Sequence, residues 1–161
     1  MLLSTTAYLY ATMKEAVFGI FLVGLVLGVN GFVNVGMIHF FRSSVGTAPK
    51  PSKFRATFFF IICTQVLALA QLGAISIWAI ALLSTGLSPD WISAVRLSAS
   101  SYTTLGDFPG VLPDGWHLIP AFIAFSGLFS FSWAASSTIS MVNSLNHYLD
   151  TSKDSIDESV S

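Results

Sequence analysis

The amino-acid sequence predicts an all-α membrane protein, with three transmembrane helices and a fourth, shorter helix between the second and the third. Two observations carry this. Of 161 residues, 53% are apolar and only 9% charged, where soluble domains carry about 25% charged residues. The mean hydropathy is +0.74, and residues 16–41, 56–83 and 118–142 contain no Lys, Arg, Asp or Glu. Each of these runs exceeds the roughly 20 apolar residues that a bilayer crossing needs. The balance of 7 basic against 8 acidic residues provides no clustered basic face for nucleic acid. Cys63 is the only cysteine and lies inside an apolar run, which excludes a disulfide framework or a cysteine metal site within one chain.

The first span, from Ala16 to Phe41, follows Lys14 without a basic n-region and outruns the roughly 7–15 apolar residues of a signal peptide. Gly24, Gly28 and Gly31 fall on one helical face, the kind of small-residue surface that lets a second helix come close. Asn30 and Asn34 form an i,i+4 pair suited to hydrogen bonds across helices. Between the first two spans lie Arg42, Lys50, Lys53 and Arg55 with no acidic residue, and Pro49 and Pro51 oppose helix there. The positive-inside rule puts this loop in the cytoplasm. The N-terminus and residues 84–117 are then outside and the C-terminus is inside. The second span, Ala56 to Leu83, carries Gln65 and Gln71 as packing groups. After the third, Leu118 to Val142, residues 144–161 read as a disordered acidic tail, with its Ser- and Asp-rich part from about Asp150.

Residues 84–117 are more specific. Ser88-Pro89-Asp90 reads as a helix start, with Ser88 as N-cap, Pro89 in the first helical position and Asp90 in the first turn. A helix over 91–102 follows, too short to cross and suited to a re-entrant segment. Next come Thr103-Thr104-Leu105-Gly106-Asp107-Phe108-Pro109 and then Leu112-Pro113-Asp114-Gly115-Trp116.

A span, a short capped helix, Thr-Thr-Leu-Gly and a second span resemble the pore module of the potassium-channel superfamily, over about half the chain. The pattern is most similar to small bacterial ion-channel proteins reading Thr-Thr-Leu-Gly-Tyr-Gly-Asp, then Leu-Pro-x-x-Trp, then an inner helix bearing Gly and Trp. Thr103 to Gly106, Leu112-Pro113-x-x-Trp116, Gly127 and Trp133 fall in register without a gap. The resemblance implies three transmembrane helices plus a re-entrant pore helix and filter loop, assembled as a homotetramer. The filter it implies is Thr103, Thr104, Leu105, Gly106, Asp107 and Phe108. In such a filter, rings of backbone carbonyls replace the hydration shell of K+ or Na+, and Gly allows the required backbone angles. The Thr104 hydroxyl would add oxygens at the inner end.

The pattern departs from that family after Gly106. Asp107, Phe108 and Pro109 stand where the potassium-selective sequence has Tyr, Gly and Asp. Thr104-Leu105-Gly106-Asp107 is closer to the Thr-Val-Gly-Asp-Gly of non-selective sodium–potassium channels, although Phe108 again replaces a Gly. A second alignment keeps Asp107 as the family's Asp by deleting Tyr-Gly, but it moves Leu-Pro-x-x-Trp out of register. The gap-free alignment implies fewer carbonyl rings, weak selectivity, and divalent cations bound at an Asp107 ring.

Ser126, Ser130 and Ser137, with Ala134, share one face of the third span. In the channel reading they line the inner cavity and Gly127 bends to gate it; otherwise the face serves close packing. Arg96 needs a partner such as Asp90 or Asp107, or reaches the outer interface. Trp91, Tyr102 and Trp116 suit interfacial anchors. His39, His117 and His147 are too scattered for a metal site, and no Ser has a His/Asp partner for hydrolase chemistry.

The expected organisation is an N-terminal helix and basic loop over 1–55, a pore module over 56–143 and a tail over 144–161. The expected function is a passive cation channel and not an enzyme, with no cofactor, organic substrate or nucleic-acid partner. Its surroundings are the lipid bilayer, with a bacterial inner (plasma) membrane as the expected location. A non-conducting pore-fold protein that assembles with or regulates a partner is the other reading. No voltage-sensing helix or ligand-binding domain identifies a gating stimulus.

Overall fold

A computed structural model describes the backbone of residues 2–46, 53–106, 112–113 and 115–157. Side chains are described at residue 10 and over 12–45, 53–106, 112–113 and 115–148. The chain is all-α: α1 is Leu2–Gly46, α2 Lys53–Ser84, α3 Trp91–Tyr102 and α4 Ile119–Asp157. Three helices are long and apolar enough to cross a membrane, over Thr12–Val45, Lys53–Ser84 and Ile119–Tyr148.

The helices outrun the apolar runs. No Gly or Pro interrupts the chain between Phe41 and Gly46, so Arg42 belongs to α1, while Lys53 and Arg55 open α2. The expected basic loop is therefore shorter than 42–55; Pro49, Lys50 and Pro51 lie outside the described residues. The tail differs too. Helix α4 continues to Asp157 where disorder is expected from 144. No Gly or Pro occurs after Gly127 in that helix, and an established helix gains one hydrogen bond per added residue.

The chain divides into two compact units, Met1–Asn30 with Gln71–Phe131, and Gly31–Ala70 with Ser132–Ser161. In the first, Leu22, Val26, Trp78, Leu82, Leu97, Ile119 and Ile123 form the core. Phe18 and Trp116 meet edge to face at 5.5 Å, and Trp116, partly buried, packs against this core. In the second unit, Phe41, Val45, Ala56, Cys63, Leu67 and Met141 are buried together. Here Asn34 Oδ1 accepts from the Ser137 hydroxyl at 2.7 Å, and Arg55 Nη2 donates to the Ser44 carbonyl at 2.8 Å.

Three hydroxyls inside the apolar runs donate within their own helices: Thr64 to Phe60 O, Ser76 to Leu72 O and Thr138 to Ala134 O. Such back-bonding keeps these three polar hydrogens from facing hydrocarbon. Of the expected glycine face, only Gly31 makes a close approach, with Trp133 about 3.0 Å from where a Cβ would lie. Gly24 and Gly28 have nothing within 4 Å. Gly19, which the spacing argument missed, lies against the Phe122 ring.

Candidate functional site

Helix α3 has the expected bounds, Trp91–Tyr102, but its N-cap lies two residues later than expected. Asp90, not Ser88, is the N-cap, in an extended conformation with φ −149°. Its carboxylate accepts from the Ser93 backbone N–H at 2.9 Å and the Ser93 hydroxyl at 2.8 Å. These two donors hold the Asp90 carboxyl below its usual range. Both Ser and Asp cap helices well, so local composition leaves the choice open; Ser88 instead donates to the Asp90 carbonyl at 3.3 Å. Arg96 is exposed on the same helix.

The other end of α3 closes as a Schellman motif. Thr104 N–H donates to Ser101 O at 2.9 Å and Leu105 N–H to Ser100 O at 2.8 Å, which satisfies carbonyls that a helix end leaves open. That closure puts Thr104 in the left-handed region at φ 58°, where a β-branched residue costs about 1–2 kcal/mol relative to Gly. Thr104 Oγ1 donates to Thr103 O at 2.7 Å. Gly106 follows at φ 79°, the positive angle for which a Gly is expected here. Residues 103–106 are all exposed, Leu105 by 75%. Asp107 and Phe108 lie outside the described residues, as does Pro109.

What lies behind this turn is tightly tied. Tyr102 is fully buried, against its expected interfacial place. Its phenol donates to Gln71 Oε1 at 2.8 Å, and Gln71 Nε2 donates to Asn30 Oδ1 at 3.3 Å. Asn30 Nδ2 in turn donates to Val26 O. The chain of amides satisfies the phenol inside the protein, so it does not seek the headgroup layer. The Tyr102 ring meets Phe131 at 5.5 Å, and its carbonyl oxygen lies 2.1 Å from where a Gly127 Cβ would be.

The α4 serines Ser126, Ser130 and Ser137 are enclosed by their own chain. Ser126 is buried, accepts from Trp78 Nε1 at 3.0 Å and donates to Ile123 O at 2.7 Å. Ser130 is buried, and Ser137 is buried on Asn34. Ala134 is half-buried. Gly127 is a contact point for α3.

Glu15 was not singled out by sequence pattern. Its carboxylate is buried, 3% exposed, and accepts from the backbone N–H groups of Leu118 and Ile119, the latter at 3.0 Å. The next residue, Pro120, has no N–H, and Ala121 and Phe122 N–H both donate to Leu118 O. Every donor in the first turn of α4 is thus accounted for, with a carboxylate at the positive end of the helix dipole. One signal was available: Leu118-Ile119-Pro120 has no capping residue of its own. Among the described residues, no three His, Cys, Asp or Glu side chains come together as a metal site.

No protein-family model, curated protein or solved structure matches this chain.

Proposed function

We propose that the chain is the subunit of a passive cation channel, with four copies placing α3 and residues 103–108 around a common axis. The observation that carries this reading is the C-terminal turn of α3. A helix too short to span a bilayer ends between two candidate spans on an exposed segment, Thr103–Gly106. Positive backbone angles at Thr104 and Gly106 turn that segment away from the helix. Tyr102, the residue just before this tip, is fixed by Gln71 and packs on Gly127, and support of this kind is what an ion-coordinating backbone requires. An apolar Leu105 left so exposed on one chain fits coverage by neighbouring copies.

A channel of this kind is weakly selective between K+ and Na+, because Phe108 stands where a Gly would take the positive φ that aims an outer carbonyl inward. The Schellman closure at Thr104 supports a second reading, a non-conducting membrane protein that keeps this architecture for assembly or regulation, since part of the turn is already satisfied by α3. Currents from purified protein in planar bilayers distinguish them. Cation-selective single-channel openings are expected. Reconstituted tetramers that carry no current, or a protein that is monomeric in a lipid environment, overturn the channel reading.

A further inference from the structure

The second unit carries an open groove of about 920 Å³ between the C-terminal halves of α1 and α4, and nothing in the channel reading uses it. Its polar wall includes Arg42, Ser140, Asn143 and His147, and its apolar floor includes Phe41 and Val45. Arg42 is exposed and donates through Nη2 to the Ser140 hydroxyl at 3.3 Å, so its hydrogen bond goes to a neutral group. The groove sits where the candidate spans Thr12–Val45 and Ile119–Tyr148 end, the depth at which a bilayer changes from acyl chain to headgroup.

We propose that this groove binds the headgroup of an anionic phospholipid, with phosphate on Arg42 and the upper acyl chain against the exposed Ile139. Three features select that occupant. A guanidinium is a planar fork of five donors that matches phosphate oxygens two at a time, and one long bond to Ser140 leaves most of them for a ligand. Among the described residues, Arg42 is the one Lys or Arg in the groove's lining, and no Asp or Glu lines it, so the local charge favours an anion. The groove is amphipathic, with the exposed Ile139 beside Arg42, Ser140 and Asn143, and so offers a lipid both apolar and polar surface. A free phosphate would use the Arg42 wall alone. This inference does not depend on conduction.

The test is native mass spectrometry of the full chain released from detergent, with phosphatidylglycerol and phosphatidylcholine of identical acyl chains. Wild type should retain the anionic lipid about fivefold over the zwitterionic one, the effect of one Arg near a membrane surface. Arg42→Gln should remove that preference, and Arg42→Lys should restore part of it. Arg55→Gln should lower it less than Arg42→Gln does, because Arg55 lies outside the groove's lining and donates to Ser44 O. Millimolar inorganic phosphate should not displace the lipid. Equal retention of both lipids by wild type, a preference that survives Arg42→Gln, or displacement by inorganic phosphate overturns the proposal. Circular dichroism of each variant checks that its helices are intact; if Arg42→Gln fails to fold, the Arg42→Lys result and the phosphate competition decide.

Discussion

The carbonyl oxygen of Tyr102 occupies the space that any side chain at residue 127 would need. A Cβ built on Gly127 would lie 2.1 Å from that oxygen and 3.0 Å from its carbon. The obstacle is backbone, not the tip of a flexible side chain, so it cannot swing aside. Gly127 therefore sets how closely α3 approaches α4, and with it the position of the turn that begins at Thr103.

Gly127→Ala should destabilise the protein by about 1–3 kcal/mol, the usual cost of overpacking. Gly73→Ala is the matched control: nothing lies within 4 Å of its Cβ position, and Ala favours helix over Gly by about 0.5–1 kcal/mol. Thermal unfolding in detergent checks both, and equal midpoints for the two variants would refute the close-contact argument.

Gln71 mediates between Tyr102 and Asn30. Gln71→Leu leaves a buried phenol and a buried amide each short of a partner, which should cost about 1–3 kcal/mol. Tyr102→Phe in the Gln71→Leu background removes one of the stranded groups. The double variant should therefore be less destabilised than the sum of the single changes. A double-mutant cycle on unfolding midpoints measures this, and strict additivity would show that the two side chains do not communicate.

Glu15→Ala removes the acceptor for two N–H groups at the start of α4, and Glu15→Gln keeps an oxygen without the charge. The expected order of stability is wild type, then Gln, then Ala. The Ala change should cost about 1–3 kcal/mol because it strands buried donors. Hydrogen exchange at Leu118 and Ile119 should quicken in the same order.

Asp90 should make α3 acid-sensitive. Its carboxyl is held below the usual range by the Ser93 N–H and hydroxyl. The stabilisation is therefore complete above the unfolded value of about 3.9 and is lost as pH falls through the lower folded value. Asp90→Asn keeps a capping oxygen that does not titrate. Exchange of the Ser93 amide should rise steeply on acidification relative to a pH-independent reference amide in wild type, and should stay flat relative to it in Asp90→Asn.

In the tetrameric channel reading, four Asp107 carboxylates share the outer mouth. Like charges so close titrate as a coupled set, and oxygen ligands of this kind suit divalent cations. Asp107→Asn should weaken calcium block and lower cation conductance while the tetramer persists. Reversal potentials in mixed sodium and potassium, with and without calcium, check this; strong potassium selectivity that is indifferent to the substitution would contradict it.

The features legible from sequence are those whose chemistry is local. The bounds of α3 follow from a cap at one end and Thr-Thr-Leu-Gly at the other, and both lie within a few residues of what they terminate. Asn30 and Asn34 were readable as cross-helix donors and acceptors because an amide in an apolar helix has few other uses, yet their partners Gln71 and Ser137 were not. Tyr102 misleads because an amphipathic ring suits either an interface or a satisfied interior. Which serines of α4 face other helices depends on the rotation of α4, and periodicity shows only that they share a face. Glu15 was invisible to pattern because its partners are more than a hundred residues away.

That separation imposes an order on biogenesis. Glu15 leaves the ribosome early, and the two amides it caps are made 103 and 104 residues later. Until then a carboxylate is held near the end of an apolar helix with no native partner, and the last span enters a membrane in which its acceptor is already waiting. The Glu15 contacts with Leu118 and Ile119 should therefore be among the last to form during synthesis.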